Sequence, residues 1–207
     1  ARRFREWAAQ DKAAPHAFLF GTSEVLTAAL NKAKTTGTID LRGVDLFEHG
    51  SAKVAEFIGS TTGITEVNLS SATTGYLPAQ QICVSVSKSP TIRSLNLSGC
   101  RTGSVELITE ALSSSKSLTA LDLSSNFISE SESFATLIKS IPSLTFLSIG
   151  YNSQVTRDVC SSIAIALGSH FSLRHFDVSC ETFFFPIPFF FEMQQVHDST
   201  FIQTVPS

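Results

Sequence analysis

Apolar residues recur along this chain in sets of three, at the first, fourth and sixth places of a short segment. Leu118, Leu121 and Leu123 form the clearest set, and five other segments have the same spacing, the first of them a weaker copy that starts on Thr36. The segments start at residues 36, 64, 92, 118, 144 and 173, so they are separated by 28, 28, 26, 26 and 29 residues. Side chains of a strand alternate between its two faces, which puts the fourth and sixth places on one face. The regular interval therefore predicts a short strand repeated six times.

A second set of apolar residues precedes each segment by six and by ten residues. The two positions are four residues apart, about one turn of an α-helix, so both side chains lie on one helix face. All twelve are apolar: Leu26, Leu30, Val54, Ile58, Ile82, Val86, Ile108, Leu112, Phe134, Ile138, Ile163 and Leu167. Each unit is thus predicted to be a strand, a turn and an amphipathic helix. The pattern predicts strands at 39–42, 66–69, 94–97, 120–123, 146–149 and 175–178 and helices at 51–60, 78–87, 104–114, 131–140 and 156–168.

This pattern resembles the leucine-rich repeat, L-x-x-L-x-L-x-x-N/C-x-L. The N/C place holds Asn126 and Asn152 in two units and Cys100 in a third, whereas Val44 and Ala72 occupy it in the first two. Periods of 26 to 29 residues with a full helix resemble the ribonuclease-inhibitor-like subclass. The resemblance covers residues 23 to 180 and implies an α/β fold, namely a leucine-rich-repeat solenoid. In such a solenoid, strand–turn–helix units form a right-handed curved stack with a parallel sheet on the concave face.

Three regions are predicted along the chain. Residues 1–35 are an N-terminal segment and a capping helix that begins at about Ser23, residues 36–180 are five full repeats plus a terminal strand, and residues 181–207 are an irregular Phe-rich tail. The tail contains nine residues, 183–191, of which six are Phe and two are Pro. It is interpreted as a cap on the last repeat, as a segment that docks on a partner, or as the product of a mispredicted gene end.

Residues between the apolar positions of each strand are predicted to point to the concave face. Their middle column is polar and mildly acidic, and Phe146 is the aromatic residue expected to anchor a partner there. The residues expected to bind a partner are Asp40, Arg42, Glu66, Asn68, Asn96, Asp122, Phe146, His175 and Asp177.

Composition excludes several classes of function. The chain has 207 residues, 16% of them charged, and a net charge of −3, which gives no basis for binding nucleic acid. No stretch approaches the roughly 20 apolar residues of a membrane span. Four cysteines without a C-x-x-C pair predict neither a zinc site nor a disulfide framework, and no motif calls for a cofactor or a metal. His175, Asp177 and Ser179 contain the residue types of a catalytic triad, but residues i and i+2 of a strand lie about 6.5–7 Å apart, too far for nucleophile activation.

The predicted function is that of a non-catalytic protein–protein interaction module that binds a protein partner through its concave face and loops. The alternatives are a structural subunit of a larger complex, docked through its termini, and a regulator of a small GTPase, because one such regulator has the same subclass of repeat. The expected location is intracellular, in the cytoplasm, and the arginine-rich start leaves a mitochondrial location open.

Overall fold

Strands and helices alternate along the chain in the computed structural model, which describes residues 23–46, 49–74, 76–128, 132–152, 157–168, 172–178 and 200–202. The helices are α1 (Ser23–Thr36), α2 (Gly50–Ser60), α3 (Tyr76–Lys88), α4 (Val105–Leu112), α5 (Glu132–Ser140) and α6 (Arg157–Gly168). The strands are β1 (Thr38–Asp40), β2 (Glu66–Asn68), β3 (Ser94–Asn96), β4 (Ala120–Asp122), β5 (Phe146–Ser148), β6 (His175–Asp177) and β7 (Thr200–Ile202). The α/β solenoid expected from the repeat is therefore confirmed.

The strands form one parallel sheet in chain order. Each strand pairs with the next at the repeat interval, so that Leu95 lies opposite Leu121 and Leu121 opposite Leu147. The three apolar places of the repeat are buried in the units starting at 64, 92, 118, 144 and 173. The sequence spacing therefore set the strand register, because equivalent residues of successive units stack on one another.

The helices pack in sequence on the other side of these apolar residues, each against the next from α2 to α6. All twelve helix positions predicted to face inward are buried. The predicted helix ends differ from the observed ones by one to a few residues. Pro78 is the third residue of α3 rather than the first, and its missing N–H is still harmless because the first four amides of a helix have no intrahelical partner.

Strand β7 was not expected from the repeat. Thr200–Ile202 pairs in parallel with β6, with Phe176 opposite Phe201, and so extends the sheet beyond the last predicted strand. The N-terminal segment before Ser23 and the Phe-rich residues 183–191 lie outside the described residues. The division of the chain into 1–35, 36–180 and 181–207 remains a prediction.

Each strand is followed by a turn in which the residue before the N/C place is left-handed. These residues are Gly43, Ser71, Gly99, Ser125 and Tyr151, with φ between 56° and 67°. Glycine adopts this conformation at no steric cost, but the three other side chains do so at a cost, which the surrounding contacts must offset. The same backbone turn is thus built five times from different residues.

Side chains at the N/C place supply the contacts that hold these turns. The Asn126 Nδ2 amide donates to the carbonyl oxygens of Leu97 (2.7 Å), Leu123 (3.1 Å) and Ser124 (3.1 Å). Asn152 Nδ2 donates in the same way to Leu123 and Ile149. The Cys100 thiol donates to the Leu69 carbonyl and so bonds back to the preceding repeat as the asparagines do. The polar place of the repeat therefore satisfies backbone carbonyls that would otherwise be buried and unpaired.

The thiols of Cys83 and Cys100 are free and buried, and the side chains of Cys160 and Cys180 lie outside the described part of the chain. Burial raises the pKa of the Cys83 thiol to about 12 and raises that of Cys100 further still. The unfolded chain loses these protons at a lower pH than the folded protein does. The contribution of both thiols to stability is therefore complete below about pH 8.5, the ordinary thiol pKa, and declines as the pH rises through about 12.

We expect a thiol reagent at pH 8 to leave Cys83 and Cys100 of the folded protein unmodified, because the thiolate is the reactive form and both thiols are neutral and buried. After unfolding without reductant, all four cysteines should react. Intact-mass spectrometry counts the labels in each state. Two or fewer labels on the unfolded chain would indicate a disulfide and would contradict the assignment to a reducing compartment.

Candidate partner-binding face

The face of the sheet turned away from the helices, the concave face, carries two columns of side chains that belong to the strands themselves. The middle column consists of Asp40, Asn68, Asn96, Asp122, Ser148 and Asp177, and the outer column of Thr38, Glu66, Ser94, Ala120, Phe146 and His175. Parallel strands lie about 4.8 Å apart, so each side chain is flanked by its equivalents in the neighbouring repeats. This stacking brings the predicted site residues together on one surface.

Most of the middle column is buried rather than solvated. Asn68, Asn96 and Asp122 are 2%, 0% and 7% exposed, and only the end members Asp40 and Asp177 are more accessible. His175, in the outer column, is also buried. The expectation that these side chains point freely to solvent was therefore wrong for the central strands, because neighbouring strands cover one another.

The buried members of the middle column bond to the end of their own strand. Asn68 Oδ1 accepts the amide proton of Ser70 (3.0 Å) and Asn96 Oδ1 that of Ser98 (2.7 Å). The Asp122 carboxylate accepts from both the amide and the hydroxyl of Ser124. These side chains bend back two residues along the chain, as Asn and Asp do in tight turns. Their first role is to shape the exit of the strand, and they leave little surface to a partner.

Asp40 and Arg42 form an ion pair at the N-terminal end of the face. The Arg42 guanidinium donates to Asp40 through Nε (2.9 Å) and Nη2 (3.0 Å). Both side chains are well exposed, so water screens the pair and it contributes little to stability. The pair instead presents a neutralised polar surface at this end.

The outer column changes from polar to aromatic along the sheet. Glu66 is partly exposed and accepts a long hydrogen bond from the Thr38 hydroxyl (3.5 Å). At the other end, the rings of Phe146 and His175 stack with their centroids 4.6 Å apart and an angle of 11° between their planes. Phe146 is partly exposed, and the Ser148 hydroxyl donates to the Asp177 carboxylate beside the stacked rings. The accessible side chains are therefore a carboxylate near the middle of the face and an aromatic surface near its end.

The described residues offer no group of three or more His, Cys, Asp or Glu side chains that could hold a metal ion. Of the three residues considered for a triad, His175 and Asp177 are the first and last residues of β6, and Ser179 lies outside the described part. A separate search found that none of the described helices is long and apolar enough to cross a membrane.

Sequence reasoning missed a row of side chains on the loops that follow the strands. The row consists of Asp45, Thr73, Arg101 and Phe127, each one residue after the N/C place. We call it the loop row. Its signal was available in the repeat template, because an apolar residue at a place that holds polar residues in three other units is out of pattern. Its exposure, however, is a property of the folded turn.

No protein-family model matches this chain, and no curated protein matches it. Among solved structures it is similar to the C-terminal domain of tropomodulin from Caenorhabditis elegans, with 18% identity, a TM-score of 0.56 and coverage of 70% of this chain and 90% of that one. It is also similar to actin-binding site 2 of leiomodin-1, with 15% identity, a TM-score of 0.48 and 88% of each chain covered. A third similar structure is internalin C2 from Listeria monocytogenes, with 18% identity, a TM-score of 0.45 and coverage of 73% and 57%.

The repeat, the parallel register and the stacked helices make this chain a leucine-rich-repeat solenoid. At these identities the similarity to tropomodulin concerns the fold alone.

Proposed function

We propose that this chain is a protein-binding module whose concave face holds a segment of another protein. The observation that carries the proposal is the Phe146–His175 stack, since it presents an aromatic surface on the rigid end of the sheet. Aromatic anchors supply much of the energy of protein interfaces, and a solenoid offers an extended surface that is already ordered. Little conformational entropy is lost when such a surface binds.

The charges of the face indicate the character of the partner. Asp40, Glu66, Asp122 and Asp177 are acidic, and the one arginine, Arg42, is paired with Asp40. A segment with basic or hydrogen-bond-donating side chains would complement this surface. Of the predicted site residues, Glu66, Phe146 and Asp177 are the ones whose accessibility favours contact, whereas Asn68 and Asn96 support the turns.

Several finer assignments belong to this proposal. The 26- to 29-residue period with a complete helix in each unit supports the ribonuclease-inhibitor-like subclass. A non-catalytic role is supported by the Asp122 carboxylate, which is engaged by its own turn and not by a histidine or a nucleophile. The free buried thiols of Cys83 and Cys100 support a reducing intracellular compartment.

The test is a comparison of charge and aromatic variants on the face with a matched control on a helix. The full chain is used to capture its partner from native lysate, and the partner is then produced on its own. Glu66→Lys combined with Phe146→Ala should weaken its binding by about ten-fold or more, because one change reverses the charge and the other removes the anchor. Glu56→Lys makes the same charge change on the exposed side of α2 and should leave the affinity within about two-fold of wild type. Isothermal titration calorimetry measures the affinity, and circular dichroism verifies the fold.

Equal affinity of the face variant and the Glu56→Lys control would contradict the proposal. A chain that lacks residues 183–207 separates this result from docking through the terminus. Loss of binding by this deletion alone, with no aggregation by light scattering, would favour the alternative of a structural subunit held by its end. Asp122 is left unchanged in these variants because its removal would break the turn at Ser124.

A further inference from the structure

The loop row contains two exposed side chains that the concave face does not use. Phe127 is 68% exposed, and Arg101 is exposed beside it. The register of β3 and β4 pairs Asn96 with Asp122, and five residues further along both chains this offset aligns Arg101 with Phe127. Neighbouring repeats are about 5 Å apart, so the guanidinium and the ring emerge side by side from successive loops.

The backbone holds Phe127 in a conformation that an aromatic residue rarely adopts. Its φ is 57°, in the left-handed region. The amides on either side of it, those of Asn126 and Ile128, both donate to the same atom, Asn152 Oδ1, at 2.9 and 3.2 Å. Both flanking side chains are buried, so the clamp from the next repeat turns the Phe127 ring outward.

Arg101 repeats this arrangement one unit earlier. Its φ is 56°, its neighbours Cys100 and Thr102 are both buried, and the Thr102 amide donates to Asn126 Oδ1 at 3.2 Å. Among the described residues, Arg101 forms no hydrogen bond or ion pair and Phe127 forms no ring contact. A cation and an aromatic ring are thus both presented to solvent on loops that are fixed by hydrogen bonds from the following repeat.

We propose that Arg101 and Phe127 form a second binding site, on the loop edge of the solenoid, for a protein segment with an acidic residue beside a large apolar one. The guanidinium pairs with a carboxylate through parallel hydrogen bonds, and the ring packs against the apolar side chain. Because the loops are already ordered, the site needs no rearrangement to bind. The site stands independently of whether the concave face binds.

A protein segment fits this site better than a nucleic acid or an anionic membrane. Those ligands are bound by clusters of cations, whereas the described loop row contains one arginine and also one aspartate, and the whole chain carries a net charge of −3. One cation next to one ring matches a single carboxylate next to a single apolar side chain.

The experiment is a selection from a random peptide library displayed on phage, with the full chain as bait and the Phe127→Gly chain in parallel. Glycine adopts the left-handed conformation freely, so Phe127→Gly removes the ring while its melting temperature should equal or exceed that of wild type. Peptides enriched only by the wild-type chain should contain Asp or Glu within two residues of a large apolar residue. In fluorescence anisotropy, Arg101→Glu should weaken these peptides by about ten-fold or more, and replacing the peptide's acid with Lys should restore much of the loss.

Lys116→Glu is the control, because it makes the same kind of charge reversal on an exposed loop before β4. It should leave peptide binding unchanged. Identical peptide sets for the wild-type and Phe127→Gly chains, or no enriched peptide, would overturn the proposal. Binding of the wild-type chain to phosphatidylserine vesicles or to oligothymidylate that Phe127→Gly abolishes would overturn it as well, because the ligand would then be a lipid surface or a nucleic acid.

Discussion

Leu121→Ala is expected to lower the free energy of unfolding by about 2–5 kcal/mol. Leu121 is the central residue of β4, with 0% of its surface exposed, and lies between Leu95 and Leu147 of the adjoining strands. Alanine would leave a cavity at the centre of the sheet that the paired strands on both sides cannot close. Denaturation by urea, followed by circular dichroism, measures the loss.

The loss at Leu121 is expected to spread to both neighbouring repeats. The stability of a solenoid is approximately a sum of repeat and interface terms, and β4 belongs to the middle of the stack. Hydrogen exchange should therefore show faster opening of β3 and β5 as well as of β4. Leu77→Ala is the matched control, because Leu77 is 56% exposed, and it should cost less than about 1 kcal/mol. An unchanged melting temperature for Leu121→Ala would remove Leu121 from the core and the repeat register with it.

Asn126→Ala is expected to destabilise the protein by about 3 kcal/mol or more, although no apolar core residue is changed. Asn126 is fully buried and donates to three carbonyl oxygens in two repeats, while its Oδ1 accepts the Thr102 amide. Alanine would leave these backbone groups buried without partners, at about 1–3 kcal/mol for each group that water cannot reach. The same denaturation measurement applies.

Asn126→Cys separates the hydrogen bonds from the volume of the side chain. Cys100 occupies the equivalent place one repeat earlier and donates to the Leu69 carbonyl, so a thiol is already accommodated in this turn. We expect Asn126→Cys to recover part of the stability that Asn126→Ala loses. Equal losses for the two variants would show that the donor group is unimportant and that the turn is held by other contacts.

Much of the fold was predictable because the repeat places the same demand on the same position each time. Leu95, Leu121 and Leu147 are each flanked by their own equivalents, so one sequence interval fixes both the pairing and the burial. The role of Asn126 was predictable for the same reason, since a polar residue that recurs at a buried turn must satisfy backbone groups there. Strand β7 was not predictable, because Thr200–Ile202 lies outside the repeat interval.

The candidate sites were less predictable than the fold. Alternation along the strand placed Asn96 and Asp122 on the concave face correctly, but it could not show that neighbouring strands cover them. Likewise, Phe127 follows Asn126 in the sequence without any local signal for exposure. Its outward orientation depends on Asn152, which belongs to the next repeat.

The sequence by itself determined the class of this protein: its intervals of 26 to 29 residues specify the stacked units, their parallel register and their core. These properties follow from periodicity, which acts through the chain's own neighbours and is therefore visible in one dimension. Only the tertiary structure decided which polar and aromatic side chains remain accessible. Accessibility depends on what the adjoining repeats cover and on which amides they clamp. Asn96 is thus lost to a partner, whereas Phe127 is turned toward one.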